Sequence, residues 1–203
     1  MGKIVIAHEY RYGYGCGYGM SAGEHWYTAA GEEFASEGHE VRIPNFPEPF
    51  APEPGVWLKE LQAAAADGAP AGETVLVGHS PGGVNVLRLL QEHDTEAEGA
   101  FAGVVFVASM SGEVGYEALA PFFSPEFDWQ RIRRAAREFR VLHPADDPET
   151  GEATGEHVVR LVRELGAEAR VTASGGHFPS GGECRLVLPD AVRLIREVIR
   201  EVL

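Results

Sequence analysis

Short apolar runs alternate along the chain with segments of helical periodicity. The apolar runs, which predict buried strands, cover Lys3–His8, Glu40–Pro44, Thr74–Val77, Gly103–Ala108, Phe139–His143 and Ala169–Thr172. The segments that predict helices are Glu24–Glu37, Val56–Ala66, Gly82–His93, Trp129–Arg137, Glu156–Leu165 and Leu188–Leu203. Apolar strands separated by helices are typical of a parallel sheet that is covered on both faces. The pattern therefore predicts a three-layer α/β fold, with one domain over residues 1–203.

Charge and composition restrict the partners. Lys and Arg number 17 against 31 Asp and Glu, so the formal net charge of −14 would repel nucleic acid and anionic lipid. Apolar stretches such as Val104–Met110 are far shorter than the roughly 20 residues that span a bilayer. The two cysteines are far apart in sequence, which fits a reducing cytoplasm. We expect a cytoplasmic monomer or homodimer, without nucleic acid or membrane as partner.

A candidate nucleophile follows the third predicted strand. The segment Gly78-His79-Ser80-Pro81-Gly82 stands between the strand Thr74–Val77 and a helix, which is the setting of the G-x-S-x-G nucleophile elbow. A strained turn that exposes a serine hydroxyl needs small residues on both sides, and glycine supplies them. Ser80 is therefore the predicted nucleophile, and His79 and Pro81 are predicted to contact the substrate.

A candidate acid and a candidate base follow two later strands, in the chain order that this elbow requires. Asp146 and Asp147 come after Phe139–His143, and His177 comes after Ala169–Thr172. His177 would take the Ser80 proton and return it later, while a carboxylate would hold the imidazole in the correct tautomer. The plainer alternative is a set of unrelated polar loop residues.

Motifs along nearly the whole chain carry a resemblance to a known family. They are Ile4–His8, Glu24-His25-Trp26, Gly38-His39-Glu40-Val41 with Pro44 and Pro47, Trp57-Leu58, Gly78-His79-Ser80, Asp146-Asp147-Pro148 and Gly176-His177-Phe178. The chain resembles the small α/β-hydrolase-fold serine hydrolases typified by retinoblastoma-binding protein nine and YdeN-like bacterial proteins. The resemblance implies a mostly parallel central sheet without a large cap domain. It implies hydrolysis of a small ester, amide or thioester without a cofactor, with Ser80 as nucleophile, His177 as base and Asp147 as acid.

The residue after the nucleophile departs from this pattern. In this fold its backbone N–H is one of the oxyanion donors, and Pro81 has no N–H. Losing one such donor typically costs about 10²–10³ in rate. The N–H of Gly82, or a donor from the first loop, is the replacement to look for. Proline is also simply a good first residue of a helix.

The first loop is the second departure. Relatives usually carry His-Gly after the first strand, whereas here Glu9 and a run of tyrosines and glycines follow His8. Loops at the carboxyl ends of strands surround the site in open α/β sheets. The residues that we therefore predict to bind substrate are His8, Glu9, Tyr10, Tyr12, Tyr14 and, from the last motif, Phe178. The alternative is a mobile surface loop.

The spacing of the histidines matches no zinc template, so no metal is predicted.

Three functions stay open on this basis. The first is a serine hydrolase. The second is a lyase, isomerase or cyclase on the same fold, which Pro81 and the tyrosine-rich loop favour. The third is a binding module on a catalytically impaired hydrolase fold.

Overall fold

Six parallel strands form the central sheet of the computed structural model, which describes residues 1–8, 26–48, 51–178 and 187–203. The strands are β1 (Lys3–Ala7), β2 (Glu40–Arg42), β3 (Thr74–His79), β4 (Phe101–Val107), β5 (Ala136–Pro144) and β6 (Glu168–Thr172). Their spatial order is β2-β1-β3-β4-β5-β6, and every neighbouring pair is parallel. The chain moves from β1 outward to β2 and then returns to β3. Ligand sites in such sheets lie at this reversal, beyond the carboxyl ends of the strands.

Helices cover both faces of the sheet. They are α1 (Trp26–Ser36), α2 (Pro54–Ala66), α3 (Pro81–Glu92), α4 (Thr95–Glu98), α5 (Trp129–Arg134), α6 (Thr154–Leu165) and α7 (Pro189–Val202). Short 3₁₀ turns lie at Ala71–Glu73, Glu117–Phe123 and Gly151–Ala153. Helices α2, α3, α5 and α6 contribute to one apolar core, and α1 and α7 contribute to the other. The three-layer α/β prediction is confirmed.

Side chains of β1 show how one strand serves both cores. Val5 and Ala7 belong to the core beneath α2 and α3, whereas Ile4 and Ile6 belong to the core beneath α1 and α7. Successive side chains of a strand point to opposite faces, so a strand buried on both sides must be apolar throughout. This is why β1 reads as one continuous apolar run.

Two elements differ from the sequence prediction. The helix predicted at Trp129–Arg137 ends at Arg134, because Ala136 already pairs with Phe101 in the sheet. The short helix α4 was not predicted, although Asp94 caps it by accepting a hydrogen bond from the Ala97 N–H at 3.1 Å. No helix in the described ranges combines the length and apolar character needed to cross a bilayer.

Candidate active site

Ser80 occupies a sharp turn between β3 and α3. Its backbone angles are φ 55° and ψ −129°, a positive φ that is strained for a residue with a Cβ. The turn is held at both ends, since the Ser80 N–H donates to the Val107 carbonyl at 3.0 Å and the Gly83 N–H donates to the Ser80 carbonyl at 2.9 Å. The side chain of Ser80 is thereby carried to the carboxyl edge of the sheet, as the elbow pattern predicts.

The glycines around Ser80 are required by close backbone contact. A Cβ on Gly82 would lie far inside van der Waals distance of two carbonyl oxygens, that of Ala7 at the end of β1 and that of His8 directly after it. A Cβ on Gly78 would meet the backbone of Gly83 in the same way. Neither contact involves a movable side chain, so the elbow packs against its neighbours only with glycine at these positions.

Ser80, His177 and Asp147 form one continuous line of hydrogen bonds. The Ser80 hydroxyl Oγ lies 2.6 Å from Nε2 of His177, and Nδ1 of His177 lies 2.9 Å from each carboxylate oxygen of Asp147. All three residues are buried. They follow three different strands, β3, β5 and β6, whose carboxyl ends share one edge of the sheet. The arrangement allows a proton to pass from Ser80 to His177 while Asp147 stabilises the resulting imidazolium.

The carboxylate of Asp147 is ionised in this setting. Burial by itself would raise its pKa, but hydrogen bonds from His143 and His177 and from the Glu149 N–H outweigh burial and hold the pKa well below its usual range. Because the folded pKa is depressed, the stabilising contribution is complete above the unfolded pKa and is lost as the pH falls through the folded value. Asp147 therefore carries its charge at all pH values near neutrality.

Asp146, the other candidate for the acid in the sequence, has a different hydrogen-bond partner. It is exposed, and its Oδ1 accepts a hydrogen bond from the Gly176 N–H at 2.9 Å. The two aspartates thus bind adjacent residues of one loop. Asp146 holds the backbone before His177, and Asp147 contacts the imidazole itself.

His79 lies beneath His177 and is fully buried. Its Nε2 is 3.0 Å from the His177 carbonyl, and its Nδ1 is 2.6 Å from the Tyr27 hydroxyl. A carbonyl only accepts, so Nε2 carries the proton and, in the neutral ring, Nδ1 accepts from Tyr27. The rings of His79 and His177 are stacked, with centroids 5.4 Å apart. These contacts show that His79 supports His177, and its contact with substrate stays a prediction.

The other residues predicted to contact substrate divide into two groups. His8 is buried beside the elbow, where its Nε2 accepts from the Phe46 N–H at 3.1 Å. Pro81 begins α3 next to Ser80, and Phe178 follows His177 with its ring against Gly175. The remaining four, Glu9, Tyr10, Tyr12 and Tyr14, lie outside the described residues. Within the ranges that are described, no three His, Cys, Asp or Glu side chains form a group that could hold a metal ion.

Sequence reasoning missed two side chains of the site, one that contacts Asp147 and one that contacts His79. His143 reaches Asp147 from the end of β5, with its Nε2 3.0 Å from Oδ2. Tyr27 reaches His79 from α1. A histidine at the end of an apolar run and a tyrosine in a helix carry no pattern that marks such roles. Only their place in the folded chain shows them.

Comparison with known proteins identifies the family of this chain. The profile of the family described as serine hydrolase matches residues 15–182. YdeN of Bacillus subtilis (strain 168) is 25% identical over 177 residues, which is 87% of this chain and 85% of YdeN. The serine hydrolase RBBP9 of Rattus norvegicus is 22% identical over 113 residues, 55% of this chain and 56% of that protein.

Solved structures show the same fold. The crystal structure of the ydeN gene product from B. subtilis superposes with a TM-score of 0.82 at 23% identity, covering 98% of this chain and 100% of that one. Esterase PE8 superposes with a TM-score of 0.60 at 16% identity, covering 100% and 93% of the two chains. At these sequence identities the structural similarity shows the α/β-hydrolase fold alone. The family profile spans most of the sequence, and the chain belongs to the serine hydrolase family.

Proposed function

We propose that this protein hydrolyses a small ester, amide or thioester through a catalytic triad of Ser80, His177 and Asp147. The observation that carries the proposal is the continuous line of hydrogen bonds, 2.6 Å from Oγ to Nε2 and 2.9 Å from Nδ1 to the carboxylate. Both contacts have hydrogen-bond distances, and the proton moves along the one between Ser80 and His177. The strained backbone of Ser80 supports the same conclusion, because such strain is characteristic of functional sites.

The reaction would proceed in two halves. In the first, Oγ of Ser80 attacks the substrate carbonyl as Nε2 of His177 accepts its proton, and the imidazolium then gives that proton to the leaving alcohol, amine or thiol. In the second, a water molecule gives a proton to His177 and attacks the acyl-enzyme, and the acid is released as the proton returns to Ser80. Asp147 stays ionised throughout and stabilises the imidazolium in both halves.

The oxyanion of each tetrahedral intermediate needs donors other than residue 81, because Pro81 has no N–H. We assign one donor to the N–H of Gly82, which belongs to the first turn of α3. N–H groups of a first helical turn point away from the helix body and add the positive end of the helix dipole. Because the usual donor is replaced, we expect a slower hydrolase than one with a complete oxyanion hole.

A fluorophosphonate probe tests the proposal without knowledge of the substrate, since it phosphonylates an activated serine. We expect the wild type to be labelled and Ser80→Ala to be unlabelled, with the modified peptide containing Ser80. Ser36→Ala is the matched control, because Ser36 is exposed and binds only the nearby Glu33 carbonyl in the described structure. A folded wild type that resists labelling, or a Ser80→Ala variant that is still labelled, would contradict the proposal.

A second candidate is a non-hydrolytic reaction of the same fold, a lyase, isomerase or cyclase reaction in which His177 is the general base. Pro81 favours it, because a reaction without a tetrahedral oxyanion does not need the missing donor. Labelling of Ser80 does not separate the two candidates, whereas a rise in ester hydrolysis after an N–H is restored at position 81 favours the hydrolase. A small-molecule substrate stays a prediction that rests on the family resemblance, and a cytoplasmic location stays one that rests on cysteine content.

A further inference from the structure

Asp147 is shared by two imidazoles. His177 Nδ1 lies 2.9 Å from both carboxylate oxygens. Each oxygen then has a further donor of its own, the Glu149 N–H at 2.9 Å from Oδ1 and His143 Nε2 at 3.0 Å from Oδ2. The carboxylate is therefore held from both sides, and His177 lies between the two anchors.

Neighbouring hydroxyls agree with the proton of His143 being on Nε2. Thr154 donates its hydroxyl to the Gly151 carbonyl at 2.8 Å, so the Thr150 hydroxyl, 2.6 Å away, donates to Thr154. The Thr150 oxygen is then left as an acceptor, and it lies 3.4 Å from His143 Nε2. Both Thr150 and the Asp147 carboxylate can only accept from this nitrogen. In the neutral ring, Nδ1 of His143 is the unprotonated nitrogen.

A third histidine faces the same region from α6. His157 Nδ1 accepts from the Ser111 N–H at 3.2 Å, so in the neutral ring its proton is on Nε2. Burial, together with His143 and Arg160, lowers the pKa of His157, although Glu156 and Asp147 oppose this. Nδ1 of His143 and Nε2 of His157 are buried and have no hydrogen-bond partner among the described residues. Nδ1 of His143 is an acceptor and Nε2 of His157 is a donor, so the two rings are complementary in hydrogen-bonding character.

We propose that His143 is a positioning residue for the hydrolytic reaction: a neutral imidazole that donates Nε2–H to Asp147 and divides the carboxylate charge between two histidines. This inference rests on the proposed triad. A carboxylate that serves two donors pairs less strongly with either one. His143 therefore limits how strongly Asp147 favours the protonated form of His177, and keeps His177 available as a base at lower pH.

Several other ionisable groups lie near Asp147 and His143 and contribute to the local electrostatic field. Asp146 and Glu149 come from the loop after β5, and Glu156, His157 and Arg160 come from α6. His79 comes from β3, and His177 comes from the loop after β6. Glu149 is bound by the Tyr116 hydroxyl at 2.6 Å. Of these groups, His143 and His177 are the two whose side chains donate to Asp147.

The test compares His143→Leu with His143→Gln by the second-order rate constant of Ser80 phosphonylation between pH 5 and 9. Leu has a similar volume and no donor, whereas the Gln amide nitrogen lies as many bonds from Cβ as Nε2 does. For Leu we expect the acid limb of the rate profile to move to higher pH by roughly half a pH unit or more. We expect the rate constant on the plateau to fall on the order of tenfold. For Gln we expect the acid limb to stay at the wild-type pH.

Two results would overturn the inference. One is a Leu variant whose acid limb coincides with that of the wild type. The other is an equal displacement in Leu and Gln, because a purely structural role does not depend on the donor. If His143→Leu fails to fold, nitrogen-15 NMR of the wild type provides the second measurement. A His143 ring that is protonated on Nδ1 at neutral pH contradicts the proposal, and a ring protonated on Nε2 alone supports it.

Failure of the proposed function is recognised separately. If the wild type shows no Ser80-dependent labelling, the triad proposal is wrong and the role of His143 in the reaction falls with it, whatever the NMR spectrum shows. If labelling depends on Ser80 but the acid limb is insensitive to His143→Leu, the triad proposal stands and only this inference is wrong.

Discussion

His79 donates its Nε2–H to the main-chain carbonyl of His177 across 3.0 Å, so the residue before the proposed nucleophile, Ser80, holds the backbone of the proposed base. Ser80 and His177 are almost a hundred residues apart in sequence, and this contact joins the two loops that carry them. The distance between Ser80 Oγ and His177 Nε2 therefore depends partly on His79, whose ring nitrogens lie against the His177 carbonyl and the Tyr27 hydroxyl.

Replacing His79 by Phe removes this contact while keeping a flat ring of similar size. We expect the rate of Ser80 labelling to fall on the order of tenfold or more, and the free energy of unfolding to fall by roughly 1–3 kcal/mol, because the His177 carbonyl and the Tyr27 hydroxyl each lose a buried partner. Urea unfolding and probe kinetics measure the two effects. Tyr27→Phe, which keeps the His79–His177 contact, should lose about 1 kcal/mol and affect labelling less. Equal rates in His79→Phe and wild type would contradict the argument.

The adjacent aspartates provide a matched pair. In Asp147→Asn the charge that stabilises the imidazolium is lost, and we expect labelling or ester hydrolysis to fall by on the order of 10³–10⁴. In Asp146→Asn the amide oxygen can still accept from the Gly176 N–H, so we expect the rate to stay within about threefold of wild type and the free energy of unfolding to change by less than about 0.5 kcal/mol. The measurement is the rate constant of each variant with the same probe. The reverse ranking would make Asp146 the acid of the triad.

Pro81→Ala restores an N–H directly after Ser80 and keeps a Cβ in the first turn of α3. If the protein is a hydrolase with an incomplete oxyanion hole, we expect hydrolysis of an activated ester to rise by about tenfold, with about 10²–10³ as the upper bound for one donor. Pro54→Ala, which makes the same change at the start of α2, should leave the rate unchanged. No gain in Pro81→Ala would show that another donor already occupies this role, or that no oxyanion forms and the non-hydrolytic candidate is favoured.

Gly82→Ala tests the close approach of α3 to β1. The new methyl group would overlap the carbonyl oxygens of Ala7 and His8, which belong to the backbone, and we expect a loss of about 1–3 kcal/mol in stability with a displaced elbow and weak labelling. Gly155→Ala is the control, because that helical position has open space around its Cβ. It should gain about 0.5–1 kcal/mol from the better helix former. Thermal or urea unfolding of both variants checks the contrast, and a Gly82→Ala variant as stable as wild type would disprove it.

The fold could be predicted from sequence because strands buried on both faces leave a plain signal. β3, predicted at Thr74–Val77, extends to His79. β4, predicted at Gly103–Ala108, begins two residues earlier and ends one residue earlier, at Phe101–Val107. The end of α5 was predicted too late, since Ala136 and the residues after it gain sheet pairing that outweighs helical preference. The hydrophobic pattern around Ala136 gives no sign of this pairing, because its partner strand lies elsewhere in the sequence.

The candidate site was predictable where chain order carries information and unpredictable where it does not. Ser80, His177 and the adjacent Asp146 and Asp147 follow strands in the order that the elbow motif requires, whereas the choice of Asp147 over Asp146 came from the family resemblance alone. His143 also lies at the end of a strand, yet its proposed role depends on the distance of one nitrogen from Asp147 in the folded protein. Tyr27 lies in a helix far from the motif, and only the packing of α1 places its hydroxyl on His79.

The edge position of β6 has a consequence for how the protein fails on heating. β6 pairs only with β5 among the strands described, and its residues are partly exposed, whereas β3 and β4 are buried along their whole length. Edge strands open locally at a lower free-energy cost than central ones. His177 follows this strand, so warming should abolish reactivity towards the probe before the helical circular dichroism signal changes, and cooling should restore both.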